Sequence, residues 1–259
     1  MSGRDSATPA LETRALAKNF GALQVARDIH FQLEAGARHA LIGPNGAGKT
    51  TFINLITGRL KPSSGQVLVA GQDISRLSEH ERVKRGIART FQINTLFPDL
   101  TAADNLYLPI AERLGVAGRQ LRPAAAHPAV MAEVARLLAA FGLEVDAQKP
   151  VRALPYGRQR LLEIAIAIGL KPTVLLLDEP TSGVPAGDCD IVMDMVQSLS
   201  REIAVLIIEH DMEMVFRFAE RITVMVNGAI LRQGSPAEIA ADAEVRAVYL
   251  GEDGNGQTD

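Results

Sequence analysis

Leu41-Ile42-Gly43-Pro44-Asn45-Gly46-Ala47-Gly48-Lys49-Thr50-Thr51 is the stretch on which the fold turns. Gly43, Gly48, Lys49 and Thr50 fit the phosphate-binding pattern G-x-x-x-x-G-K-[ST]. Glycines let such a loop wrap so that backbone N–H groups point inward at phosphate oxygens. The helix that opens near Gly48 adds its positive N-terminal end. Lys49 reaches the β- and γ-phosphates as a point charge, and the Thr50 hydroxyl is a ligand for Mg²⁺. The flanks agree with this context: Arg38–Ile42 reads as a short, largely apolar strand and Thr51–Thr57 as a helix.

Composition bounds what surrounds this loop. At 259 residues and 47% hydrophobic content the chain buries a full core. That suits one large α/β domain, or one with a small appended lobe. A net charge of −3 gives no global push toward nucleic acid or an acidic membrane surface. The single Cys189 excludes a disulfide framework and suits a reducing compartment. No apolar run approaches the ~18–20 residues that span a bilayer. Met1–Pro9 is polar and lacks the apolar core of a signal peptide.

Outward from the loop the elements alternate. Leu11–Phe20 and Leu23–Leu33 read as strands on either side of a turn that carries Phe20. Gln66–Ala70 and Ile87–Gln92 read as strands, and Ser78–Arg85 as a short polar helix. Residues 101–150 are richer in Ala and Leu, with helices expected over Thr101–Arg113 and Pro128–Phe141 and a mobile stretch over Leu114–His127. Arg158–Leu170 carries an apolar helical face. Thr173–Leu177 and Ala204–Ile208 are continuous apolar runs, as expected of buried parallel strands. Helices are expected over Gly187–Ser200 and Met212–Ala219. Ile222–Val226 and Ala229–Gln233 form a hairpin turning at Asn227-Gly228, and two short helices follow. The whole reads as α/β: a mostly parallel core sheet, an antiparallel portion near the N-terminus and an inserted helical lobe. The boundaries are a tail at 1–10, a core of 11–100 and 166–251, a helical lobe at 101–165 and a tail at 252–259.

Val174-Leu175-Leu176-Leu177-Asp178-Glu179-Pro180 is the second half of the site. A carboxylate ending a buried apolar strand is costly unless a cation or proton compensates it. Beside a phosphate loop that cation is Mg²⁺, reached through Asp178. Glu179 then polarises the water that attacks the γ-phosphate.

With these two motifs the chain resembles the ATP-binding cassette (ABC) ATPase subunits over nearly its whole length. The resemblance implies a P-loop NTPase fold with ATP and Mg²⁺. It implies that Gly43, Pro44, Asn45, Gly46, Ala47, Gly48, Lys49, Thr50 and Thr51 cradle the phosphates. Phe20 resembles the aromatic on which adenine stacks. Gln92 resembles the glutamine-loop residue that touches Mg²⁺ or the attacking water, and His210 the switch histidine at the γ-phosphate. The metal set is then Thr50, Gln92 and Asp178, and the catalytic set Glu179, His210 and Gln92.

Two departures stand out. The family's Leu-Ser-Gly-Gly-Gln signature, which caps the partner subunit's ATP, appears here as Leu154-Pro155-Tyr156-Gly157-Arg158-Gln159. Pro155 removes a hydroxyl and an N–H donor, while Gly157 and the helix N-terminus remain for contact in trans. After Glu179 the chain has Ser182-Gly183-Val184-Pro185, without the family's Asp or Asn.

The Tyr-Gly signature, the long stretch from Leu114 to Pro150 and the ending Val245–Gly251 resemble one of the two ATPases of branched-chain amino-acid importers. That implies a second ABC ATPase subunit, transmembrane permease subunits docked near Asn94–Leu100, and indirectly a solute-binding protein, with no nucleic acid. It places the chain at the cytoplasmic face of the inner (plasma) membrane. Three other readings stay open: a soluble ABC ATPase without a permease, a cassette that binds ATP with little hydrolysis, and the ATPase of an exporter.

Overall fold

The computed structural model describes residues 8–90, 96–116 and 127–253. Expectations for the remaining stretches, Gln92 among them, lie outside the described residues.

By contacts the chain forms two compact units, the first of residues 1–87, 173–179 and 200–259, the second of 88–172 and 180–199. The first holds two sheets. β1 (Leu11–Phe20) pairs antiparallel with β2 (Leu23–Leu33) and with β4 (Ser64–Val69), and β5 (Gln72–Asp73) pairs antiparallel with β4. This is the antiparallel portion expected near the N-terminus.

In the second sheet β3 (Arg38–Ile42) lies parallel between β8 (Ala204–Ile208) and β9 (Arg221–Val226), and β7 (Val174–Asp178) lies parallel to β8. β10 (Ala229–Gly234) returns antiparallel to β9 through the expected Asn227-Gly228 turn. β6 (Ile87–Thr90) begins at the last residue of this segment of the first unit and continues in the second. Strands β3, β7 and β8 are buried along their whole length, which is why Val174–Leu177 and Ala204–Ile208 read as unbroken apolar runs, while β3 also buries Arg38 and His39.

Helix α1 (Lys49–Thr57) follows β3 and fills the core with Phe52, Ile53, Leu55 and Ile56, all fully buried. Phe52 meets Phe31 of β2 edge to face, with ring centroids 5.4 Å apart. α2 (Glu79–Lys84) carries a capping box, with Ser78 and Glu81 satisfying each other's end groups. α7 (Met212–Phe218) is capped by Asp211, and α8 (Pro236–Ala241) and α9 (Ala243–Asp253) complete the unit.

The second unit is built from α3 (Ala102–Arg113), α4 (Pro128–Ala140), α5 (Tyr156–Gly169) and α6 (Ala186–Ser198). Gly169 lets the helices close: a Cβ there would stand 3.2 Å from Ile110 and 3.4 Å from Leu137. The expected lobe 101–165 lies inside this unit. Residues 88–90, 96–100, 166–172 and 180–199, expected in the core, fall in this unit by contacts. A continuous helix runs through position 165, so α5 moves to one side as a whole, and α6 packs on it. Asn105, 3% exposed, pins the loop before α3 by accepting from the Phe97 N–H at 2.9 Å and donating to the Phe97 and Thr101 carbonyls. That bracing holds Phe97 at the surface, 57% exposed. No helix among the described residues is long and apolar enough to cross a membrane.

Candidate nucleotide site

The phosphate loop spans the end of β3 and the start of α1, and two of its glycines, Gly43 and Gly48, have close neighbours. A Cβ on Gly43 would stand 2.2 Å from the Met225 carbonyl oxygen. Gly48, at φ 98°, occupies the left-handed region at the entry to α1 and would meet Gly228 and Val25 at 3.2 Å. The Ala47 N–H donates to the Pro44 carbonyl at 3.1 Å, closing the turn. Lys49 folds its ammonium back inside the loop and donates to the carbonyls of Gly43 and, at 3.0 Å, Pro44. Thr50 and Thr51 occupy the first turn of α1 beside it.

A buttress unseen in the sequence supports this loop from the far end of the chain. The Gly228 N–H donates to the Ala47 carbonyl at 2.9 Å, and the Arg27 N–H donates to the Gly228 carbonyl at 2.7 Å. The Arg27 guanidinium adds a bond to the Asn227 carbonyl, also at 2.7 Å. Asn227-Gly228 is readable as a hairpin turn, but nothing local to it says that its amide carries the phosphate loop.

Asp178 ends β7 at 4% exposure, and Glu179 follows it. Glu179 has φ 46°, in the left-handed region where a residue with a Cβ is strained. Its N–H donates to the Ile208 carbonyl at 2.9 Å, so the parallel neighbour strand holds the turn. His210 follows β8 with its ring 72% exposed. The buried Glu209 carboxylate accepts from the His210 N–H at 3.3 Å and lies 3.8 Å from Nδ1. Phe20 closes β1 with its ring 54% exposed and Lys18 Nζ 5.0 Å from the ring centre. Its ring is therefore a surface group rather than part of a packed cluster.

Phe20, the phosphate loop, Asp178, Glu179 and His210 all belong to the first unit. Gly157 belongs to the second. There it is the second residue of α5, after Pro155 at the N-cap with no side-chain cap. The Asp188 carboxylate packs on it: a Cβ at Gly157 would stand 2.9 Å from Asp188 Oδ2. Tyr156 packs on Gly183 of the following segment, and the buried Arg160 donates to the Pro180 carbonyl at 3.0 Å. The altered signature is thus braced against residues 180–188, and a carboxylate already meets part of its helix end. Neither feature is readable from the signature itself.

Among the described residues no group of three or more His, Cys, Asp or Glu could hold a metal alone. Thr50 and Asp178 offer one hydroxyl and one carboxylate. That oxygen donor set suits a hard cation whose remaining positions are filled by substrate phosphate and water, as Mg²⁺ prefers.

The profile of the ABC transporter family matches residues 26–182. A second profile, the branched-chain amino acid ATP-binding cassette transporter, matches residues 233–255. The chain is 35% identical over 251 residues to the high-affinity branched-chain amino acid transport ATP-binding protein BraF of Pseudomonas aeruginosa, covering 94% of this chain and 98% of BraF. It is 33% identical to LivG of Escherichia coli K12, a protein with the same description, with the same coverage. The ribose import ATP-binding protein RbsA 2 of Streptomyces avermitilis is 35% identical over 227 residues, 86% of this chain but only 43% of that protein. The ADP conformation of MJ1267, an ATP-binding cassette of an ABC transporter, superposes with TM-score 0.80 at 28% identity, over 94% of this chain and 99% of that one.

Proposed function

Because the chain belongs to the ABC transporter family and is an ATPase of that family, we propose that it is the ATP-hydrolysing subunit of an importer of branched-chain or other hydrophobic amino acids. The observation that carries this reading is the match of residues 233–255 to the branched-chain profile, together with end-to-end similarity to BraF and LivG. The ribose reading has weaker support, since the chain spans less than half of RbsA 2.

In this reading ATP stacks its adenine on Phe20 and lays its phosphates in Gly43–Thr51. Lys49 exchanges its loop carbonyls for phosphate oxygens. Thr50 and Asp178 would hold Mg²⁺, with Gln92 as a further ligand, and the cation would neutralise charge on the phosphates. Phosphoryl transfer needs positioning and charge stabilisation more than covalent chemistry. The strained turn at Glu179 fixes its carboxylate to orient and deprotonate the attacking water. His210 donates toward the γ-phosphate from the neighbouring strand, held through its own N–H by Glu209.

The proposed partners are a second cassette, whose signature closes over this site, and permease subunits at the cytoplasmic face of the membrane, with a solute-binding protein beyond them. The Phe97 loop is the proposed permease contact. In return Gly157 and α5 face the partner's ATP. Pro155 and the Asp188 carboxylate make that cap weak, so the pair has one strong and one weak site.

The test is uptake of labelled leucine and labelled ribose by cells lacking this chain, complemented with wild type or Glu179→Gln. Restored leucine uptake by wild type alone supports the reading. Restoration of ribose uptake without leucine overturns it.

A further inference from the structure

We infer that Arg82 is a positioning residue for the phosphate loop, acting through helix α1. The inference rests on the nucleotide-site reading above and goes beyond it. Helix α1 is only nine residues long, so whatever fixes its C-terminal end also fixes Lys49 and Thr50 at its start. The last carbonyls of any helix lack partners within it. α1 has no basic residue in its own last turn, and it ends on Gly58 at φ 83°.

Arg82 supplies what α1 lacks. It comes from α2 and is 1% exposed. Its Nη1 donates to the carbonyls of Leu55 and Ile56, both at 2.7 Å. Nη2 donates to the Ser75 carbonyl at 2.8 Å and Nε to the Leu77 carbonyl at 3.1 Å. One planar group therefore ties the end of α1 to the turn between β5 and α2. That turn is itself anchored, because Ser75 Oγ accepts from the Val67 N–H at 2.8 Å and Ile74 is buried in the core.

Gly58 makes room for the guanidinium. A Cβ there would stand 2.8 Å from Arg82 Nε and 3.0 Å from Cδ. Among the described residues no carboxylate forms an ion pair with Arg82. Its charge is directed at helix carbonyls, the negative end of the α1 dipole. A buried guanidinium is an expensive way to fill space. Its four directed bonds specify the axial position and rotation of α1, which an apolar side chain of that size could not do. A small axial shift moves the amides of residues 48–50 off the phosphate oxygens, and such displacements weaken productive binding steeply.

The experiment measures MgATP binding to the full chain by calorimetry, well below the lowest melting midpoint of the set. The set is wild type, Arg82→Met, Arg82→Lys, Lys49→Ala, and Ile239→Ala as a destabilised control remote from α1. Expected are a Kd raised about tenfold in Arg82→Met and about threefold in Arg82→Lys, with Ile239→Ala close to wild type. Arg82→Lys keeps the charge but cannot make all four bonds, so it decides the matter if Arg82→Met fails to fold. Wild-type affinity in Arg82→Lys, or equal weakening in Ile239→Ala, overturns the inference while leaving the site reading intact. Equal binding by wild type and Lys49→Ala instead removes the site reading, and the inference with it.

Discussion

Lowering the pH from 7 to 5 should destabilise this protein through His39, a single buried imidazole on the strand that leads into the phosphate loop. His39 is 1% exposed, pairs through Nε2 with Thr223 Oγ1 at 2.8 Å, and tilts against Phe31 with centroids 5.0 Å apart. Burial, and secondarily the charge of Arg221, pushes its pKa from 6.5 down to about 3. The native state therefore keeps the ring neutral, while the unfolded chain protonates it near its ordinary value. The unfolded state binds the extra proton between those two values, so stability is fully present above pH 6.5 and is lost as the pH falls toward 3. Each pH unit in that window is worth about 1.4 kcal/mol. From pH 7 to pH 5 the loss is about 2 kcal/mol, since the first half unit lies above the unfolded pKa. Carboxylates with lowered pKa, such as Glu12, Asp73 and Glu238, lose their contribution at lower pH, so comparison with a non-titrating variant isolates the histidine. The assay is urea unfolding followed by circular dichroism at pH 7 and pH 5, for wild type and His39→Gln. The variant should lose about 2 kcal/mol less than wild type over that interval. Equal losses, or a His39 ring that titrates near 6.5 by NMR in the folded protein, would refute the argument that β3 excludes water.

Gly228→Ala places a Cβ 2.5 Å from the Val25 carbonyl oxygen at φ 78°, and so pushes on the turn that holds Ala47. Its KM for ATP should rise several-fold, about fivefold, with a lower melting midpoint; an unchanged KM would remove the buttress from function. Glu179→Gly relieves the strained φ of 46° and should stabilise the fold by about 1 kcal/mol while abolishing hydrolysis. Glu179→Gln should abolish it with stability unchanged, and continued turnover in either variant counts against the carboxylate's role. Asp188→Asn removes the anion packed on Gly157. In mixed assays it should raise hydrolysis by a partner cassette about twofold, and no change would mean that Asp188 does not weaken the cap. Chelating Mg²⁺ should stop hydrolysis and weaken ATP binding, as titration calorimetry with and without EDTA would show.

What was legible along the chain is what depends on neighbours in sequence. The phosphate loop declares itself by glycine spacing, the buried strands by unbroken apolar runs, and the β9–β10 hairpin by Asn227-Gly228. Helix ends are readable only to within two or three residues. Ser78–Arg85 reads as a short polar helix, yet Arg82 within it is buried, with carbonyls 26 and 27 residues away among its partners. Composition changes gradually around position 165, whereas α5 runs unbroken through it and packs on α6, so the contact units divide the chain elsewhere.

The sequence by itself determined the α/β class, the phosphate loop, the Asp178-Glu179 pair and the family, since each is a local pattern of residue types whose chemistry allows few alternatives. Only the tertiary structure decided that Gly228 holds Ala47, that Ile208 holds the turn at Glu179, that Asp188 sits on Gly157 and that Arg82 ends α1. The physical reason is common to all four. Each is a backbone group or a steric contact met across the fold, and a backbone amide or carbonyl carries no residue identity by which a distant partner could be read.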